Sequence, residues 1–322
     1  MEGKADRRDR RPLVPRGDGQ LRRAHARHDG DPRRRRKSDR PGARVTTAAA
    51  EGTLRAVTRL NPTEYLAEAA GTAFNLFVGL SAMSLDFGRG QWVARHVPSY
   101  SLRLLMTGIV YAGSGSLWAV SPPGKRSGAH INPSVTLAFT LQGKVRPVDA
   151  VGYVVAQCAG AVAAAYAGAA VWGGALRSIG YGMTLPGDGF TPLQAAAAEV
   201  LMTGLLVLLI LTFVSRAAWA RWTPLAVWLL VAVEVWLGAP VSGTSLNPAR
   251  SFGPALVAMK CTAQWIYWLA PPLGAAAAVG VFAAFTDRRA LTAKLFHATE
   301  YRSIFRHVHL PHAGRPAGTP VS

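Results

Sequence analysis

The chain has 322 residues, half of them apolar, with two cysteines and a formal net charge of +19. Two cysteines, Cys158 and Cys261, exclude a disulfide framework or a cysteine metal cluster and read as small packing residues. No catalytic triad, metal-ligand cluster or phosphate loop stands out, so an enzyme is not expected, and neither a metal nor a cofactor is called for.

The charge sits at the ends. Eighteen of the 36 Lys and Arg fall within residues 1–60, including Arg33-Arg34-Arg35-Arg36-Lys37. Residues 1–63 lack apolar periodicity and read as a basic, disordered tail on the cytoplasmic side. A nucleic-acid arm is the competing reading of such a run. The tail is dispensable to any fold visible downstream, so no nucleic-acid partner is expected. No apolar stretch precedes residue 65, which argues against a cleaved signal. No Met lies between Met1 and Met83, so a downstream start would need another codon, at Val45 or Val57.

From Tyr65 to Phe285 the composition is that of a polytopic membrane protein: Ala, Val, Leu, Gly and Trp with few charges. Six segments are predicted as membrane-spanning helices, near Tyr65–Leu85, Leu102–Val120, Val148–Trp172, Leu193–Val214, Pro224–Leu237 (extending to about Ala239) and Trp265–Phe285. Between them, Asn132–Leu141 and Asn247–Met259 are apolar but too short to span. Each opens with Asn then Pro, a good helix cap followed by the residue favoured at the first helical position. Both therefore predict half-helices starting at the Asn. Irregular backbone at membrane depth is tolerated only where it is buried in protein or lines a water-filled cavity, so the loops leading into them should line a cavity. Gly173-Gly174 and Gly180–Gly189 read as a loop on the outer side, and 287–322 as a cytoplasmic C-terminal tail.

Charge in the connections supports the count. The N-terminal tail, Lys125/Arg126 with Lys144/Arg146, Arg216/Arg221 and the C-terminal tail form one set, richer than Arg89/Arg95, Arg177 and Arg250/Lys260 on the other side. The bias places both termini in the cytoplasm.

The halves repeat. Ser127-Gly128-Ala129-His130-Ile131-Asn132-Pro133-Ser134 matches Ser242-Gly243-Thr244-Ser245-Leu246-Asn247-Pro248-Ala249. Ala67-Glu68 matches Ala198-Glu199, and Tyr153, Gln157 and Gly160 match Tyr267, Pro271 and Gly274. Three spans are an odd number, so the halves, about 64–173 and 193–286, must be inverted, which puts a site near the midplane.

These residues resemble the aquaporin, or major intrinsic protein, family over residues 64–286. The resemblance rests on the two motifs, Gly71-Thr72, Gln157, and Arg250-Ser251-Phe252-Gly253-Pro254 after the second motif. It implies an all-α membrane protein of six transmembrane helices and two re-entrant half-helices in an inverted repeat, a homotetramer in the cell membrane (plasma or bacterial inner), passively conducting water and small neutral solutes. Asn132 and Asn247 would meet across the pore. A central water would accept from both amides and point its own hydrogens away along the file, which breaks a proton wire. His130 would stand at the pore neck, and Glu68 and Glu199 would hold the re-entrant loops. By family register the selectivity filter would be Ile109, Val235, Thr244 and Arg250. Water-selective members typically carry an aromatic and a His at the first two positions, and bacterial glycerol channels carry Asp where this chain has Ser251. The chain matches neither, so a channel mainly for uncharged solutes such as glycerol, urea, boric acid or ammonia is the alternative. Ser134 departs from the commonest motif and is expected to change little. Glu234, beside Val235, is either a buried carboxylate bonded to a neighbouring helix or subunit, or a pore-side acceptor. It is also the one intramembrane acid that the family does not explain, and so the only support for an ion-coupled transporter.

Overall fold

The computed structural model describes residues 60–297 and 301–306, all helix, turn and irregular backbone with no β-strand among them. The basic stretch 1–59 lies outside the described residues. Six long helices carry the fold: α1 (Pro62–Phe87), α3 (Tyr100–Val120), α6 (Pro147–Ser178), α7 (Pro192–Val214), α9 (Thr223–Ser242) and α11 (Gln264–Phe285). Shorter ones lie between them: α2 (Trp92–His96), α4 (Pro122–Ser127), α5 (Pro133–Leu141), α8 (Ala217–Ala220) and α10 (Pro248–Val257). Among the described residues, five of the long helices are long and apolar enough to cross a membrane. The sixth, α3, is 21 residues long and is diluted by Ser, Gly and Tyr along the face it turns to its neighbours.

Proline sets most of the starts, standing at the first or second position of α1, α4, α5, α6, α7, α9 and α10, where its missing N–H costs nothing. Thr191 and Gln194 add a reciprocal capping box to α7. α6 runs past its predicted end at Trp172. Its helical path breaks at Gly173, at φ 46° and ψ −114°, and resumes to Ser178.

The long helices are apolar on most sides, as expected of helices that meet both a protein core and lipid. Leu66, Leu201, Leu229, Leu269 and Phe285 point outward and exposed, while Leu76, Leu80, Ile210 and Leu211 are buried. Small residues set the closest approaches. A Cβ on Gly160 of α6 would lie 2.1 Å from the Ala69 carbonyl oxygen of α1, and one on Gly274 of α11 would lie 2.3 Å from that of Val200 in α7. The two crossings are equivalent in the two halves. The half-helices are exchanged: α5 of the first half packs on α11 of the second, and α10 of the second packs on α6 of the first. This is an inverted repeat whose re-entrant elements meet in the middle.

The residues after α11, read from sequence as a separate tail, pack against the helical body. Ala290, Thr292, Ala293 and Lys294 are fully buried. Backbone bonds tie Leu291 to Val214, Leu295 to Gly128 and Arg306 to Lys144.

Candidate permeation pore

Each re-entrant loop turns sharply before its Asn. Gly128 and Gly243 take positive φ, and so do Ala129, Ile131, Thr244 and Leu246, where a side chain makes the left-handed region unfavourable. Two carboxylates over-determine these turns. Glu68 Oε1 accepts from the Ser127 hydroxyl at 2.7 Å and the His130 amide at 3.0 Å, and Oε2 from the Ile131 amide at 2.6 Å and Gln157 Nε2 at 2.9 Å. Glu199 repeats the pattern on Ser242 at 2.7 Å, Ser245 N at 2.7 Å and Leu246 N at 2.8 Å. Both acids are fully buried. Tyr153 and Tyr267 complete the correspondence, donating to the carbonyls of Ser127 and Ser242.

Asn132 and Asn247 cap the two half-helices. Asn132 Oδ1 accepts from Ser134 N, and Asn247 Oδ1 from Ala249 N and Arg250 N. Their amide nitrogens cross the seam: Asn132 Nδ2 donates to the Leu246 carbonyl and Asn247 Nδ2 to the Ile131 carbonyl, each at 2.8 Å. A side-chain amide has two N–H donors. One is fixed to the opposite loop, and the second is left for a molecule at the junction, where both helix N-termini add positive potential. Ser134 turns away. Its hydroxyl is buried with no hydrogen-bond partner among the described residues, so it lies behind the junction.

There are two chambers, and the pair lines the first. One, of about 80 Å³, is lined by both Asn side chains, His130, Asn75 and Leu295, with Val135, Leu206, Ile210 and Val231 as an apolar wall. The other, of about 60 Å³, is lined by Thr107, Val235, Thr244, Arg250, Leu80 and Phe87. Each exceeds the ~10–15 Å³ that one water centre needs. Tyr111 borders both.

Val235, Thr244 and Arg250 thus come together in the second chamber, but Ile109 does not. It is 44 % exposed on the outward face of α3, lines a groove with Val110, Leu117 and Trp228, and its carbonyl accepts from Trp228 Nε1. The reason is helical phase. Thr107 and Ile109 are two residues apart, and two residues turn a helix by about 200°. The α3 residues lining the two chambers are Leu104, Thr107, Tyr111, Ala112, Gly115 and Ser116, at helical spacing. Thr107 occupies the place given to Ile109.

Arg250 is held by parts remote in sequence. Nη1 donates to the Gly182 carbonyl at 2.8 Å and Nη2 lies 3.6 Å from Met83 Sδ. The segment read as a plain outer loop therefore supplies the acceptor that aims this guanidinium. Ser251 bonds to Thr184 and Ser245, tying that loop to the second motif. His130 lines the first chamber with both ring nitrogens engaged: Nδ1 with Thr136 Oγ1 at 3.1 Å and Nε2 with the Ala293 carbonyl at 2.8 Å. A carbonyl only accepts, so Nε2 carries the hydrogen. Asn75 Nδ2 donates to the Tyr111 carbonyl and to Ser114, so what it offers the chamber is its oxygen. Thr107, Tyr111, Asn75, Gly182 and Leu295 all escape the sequence motifs. Only the Leu104–Gly115 stripe carries a readable periodic signal. Glu234 lines neither chamber. It is buried, and both of its carboxylate oxygens lack a hydrogen-bond partner among the described residues. It is thus neither a pore-side acceptor of these chambers nor bonded to a neighbouring helix among the described residues. Among the described residues there is also no group of three or more His, Cys, Asp or Glu that could hold a metal.

Six long helices and two capped half-helices, meeting at paired amides that line a chamber, define a multi-pass membrane channel. Over residues 55–282 the sequence matches the family model described as Major intrinsic protein, and the chain belongs to that family. It is 36% identical over 214 residues to "Aquaporin NIP1-4" of Oryza sativa subsp. japonica, covering 66% of this chain and 72% of that one. It is 35% identical over 167 residues to "Probable aquaporin TIP3-2" of Arabidopsis thaliana, covering 51% and 61% respectively. In the second case the chain spans less than two thirds of its relative. The fold matches the X-ray structure of the aquaglyceroporin from Plasmodium falciparum with a TM-score of 0.57 at 18% identity, over 68% of this chain and 94% of that one. Members of this family are passive channels for water and small neutral solutes, not enzymes.

Proposed function

We propose that this protein conducts water and small neutral solutes down their gradients and excludes protons and ions, with residues 64–286 as the channel. The observation that carries this reading is the crossed pair of Asn amides. Each has one N–H fixed to the opposite loop, and both side chains line the chamber that holds His130. A water there accepts from both sides and cannot relay a proton through that point. Arg250 is the cation barrier and filter donor. Val235, Thr244 and Thr107 complete the constriction, His130 forms the neck of the other chamber, and Pro133, Ser134, Pro248 and Ala249 shape the half-helix starts behind the two Asn.

The filter lining favours solutes beside water. Val235 and two threonines line that chamber beside Arg250, Tyr111 and Phe87, with no His among them. The excess of Lys and Arg in one set of connections supports cytoplasmic termini in the cell membrane. The outward apolar faces support a lipid or subunit environment, and a homotetramer is the assembly we expect.

In proteoliposomes shrunk by an impermeant osmolyte, the protein should accelerate water efflux with a low activation energy. A rate equal to that of empty vesicles would sink the reading. Inward gradients of glycerol, urea and boric acid would then rank the solutes, and water alone passing would remove the solute half of it. Dependence on a proton or sodium gradient would point to a coupled transporter instead. Removal of residues 1–55 should leave all rates unchanged.

A further inference from the structure

Two threonine hydroxyls face the chamber that holds Arg250, beside Tyr111, and neither threonine has a free proton. Thr107 Oγ1 donates to Asp86 Oδ2 at 2.6 Å. Thr244 Oγ1 donates to the Glu234 carbonyl at 3.2 Å. A hydroxyl has one hydrogen and two lone pairs, so each threonine can only accept from a permeant. Arg250 is the converse: a guanidinium has five N–H donors and no acceptor. The two threonines therefore offer acceptors and Arg250 offers donors to whatever enters.

Asp86 fixes the first of these. It is buried at the end of α1, outside the chamber lining, and its backbone oxygen accepts from Arg103 Nη1 at 2.8 Å. Arg103 is itself seated on the Phe87 and Tyr100 rings. A carboxylate only accepts, which leaves Thr107 as the donor. We propose that Asp86 is a positioning residue that sets the hydrogen-bond polarity of the filter through Thr107. The filter then admits small neutral solutes rich in N–H or O–H donors, the urea and polyol class, together with water. This rests on the channel reading above.

The test is a cycle in proteoliposomes, reading urea and glycerol permeability relative to water for wild type, Asp86→Asn, Thr107→Val and the double variant. Asp86→Asn presents an amide that can donate to Thr107 and free its proton toward the lumen. Each single variant should lower the solute-to-water ratio by about three- to tenfold, the worth of one hydrogen bond. The double variant should match Thr107→Val, and Asp86→Glu should keep the ratio. An unchanged ratio in Asp86→Asn, a further drop in the double variant, or a wild type passing water alone would overturn the proposal. If Asp86→Asn does not fold, Thr107→Ser against Thr107→Val decides it, since only the first keeps the hydroxyl. A wild type no faster than empty vesicles would instead defeat the channel reading.

A separate observation concerns the other mouth. Residues 290–297 and 301–306 run beneath the chamber that holds His130. The Ala293 carbonyl takes His130 Nε2, and Phe305 stacks on the His130 ring at 5.5 Å and 18°. Lys294 is fully buried, with Nζ donating to the Lys125 carbonyl at 2.6 Å. Leu295 enters the chamber lining beside both Asn side chains. The fit is close: a Cβ on Gly128 would lie 2.8 Å from the Ala293 oxygen and 3.0 Å from Phe305.

We infer that this strap throttles the His130-side mouth and that its seating sets the conductance. Leu295→Ala should raise unit water permeability and Leu295→Trp should lower it, each about two-fold or more, the size of a sub-kilocalorie change in barrier. Truncation after Thr286 should raise it further. Equal permeability in both Leu295 variants, or a folded truncated protein no faster than wild type, would overturn the inference.

Discussion

Glu68 shows how one side chain holds a re-entrant loop that its own sequence would not form. Ile131 and Ala129 sit at positive φ, which costs about 1–2 kcal/mol per residue for a non-glycine. Four donors on one carboxylate offset that cost. Glu68→Gln should therefore be harmful although it is isosteric. Each oxygen receives two donors, so the new amide faces N–H or O–H groups whichever way it flips. We expect a loss on the order of 1–3 kcal/mol, seen as a lower melting temperature in detergent, with reduced water permeability. Glu234 gives the opposite expectation. Its oxygens have no hydrogen-bond partner among the described residues, so its burial is uncompensated. Glu234→Leu should be neutral or stabilising in the same melt, with the solute ranking unchanged. A marked destabilisation would show that the carboxylate has a partner in the assembly.

Between elements, the closest contacts depend on side chains that are absent. Gly160 lets α6 meet the backbone of α1, and a Cβ there would sit 2.1 Å from the Ala69 oxygen. Backbone cannot yield as a flexible side chain can, so Gly160→Ala should destabilise by about 1–3 kcal/mol. Gly174, on the same helix beyond its break, has nothing within 4 Å of the equivalent position. Gly174→Ala should be neutral or stabilise by up to about 1 kcal/mol through helix propensity. The pair, compared by thermal melts in one detergent, separates packing from propensity. Six helices and both half-helices were legible as elements, because apolar length and Asn-Pro capping are local signals. The helical continuation beyond Trp172 was not, because the Gly173-Gly174 pair reads as a stop while the chain resumes helix after a single non-helical residue.

For the whole molecule, the lumen is lined by residues from six elements and both loops, and by the strap after α11. No cysteine lines either chamber among the described residues: Cys158 is partly buried between helices and Cys261 is exposed beyond α10. Mercurial or maleimide reagents should thus leave water permeability within about two-fold of the untreated protein, since a two-fold change is below ~0.5 kcal/mol in barrier. Substituting Thr244 or Val235 with Cys should create a block. Inhibition of the wild type would place a cysteine in the path.

The sequence by itself determined the number of spans, the inverted repeat, the two Asn at its centre and Arg250 one turn beyond. Each of these is written in hydropathy, charge alternation or a contiguous motif. Tertiary structure alone decided which face of α3 meets the lumen. Hydropathy does not fix the phase of a helix that is apolar on most sides, and Thr107 rather than Ile109 lines the chamber with Arg250. It alone also decided that Gly182 aims Arg250, that Asp86 engages Thr107, and that the chain after Phe285 folds back under His130. Those contacts join residues 21 to 163 positions apart, and no local pattern records them.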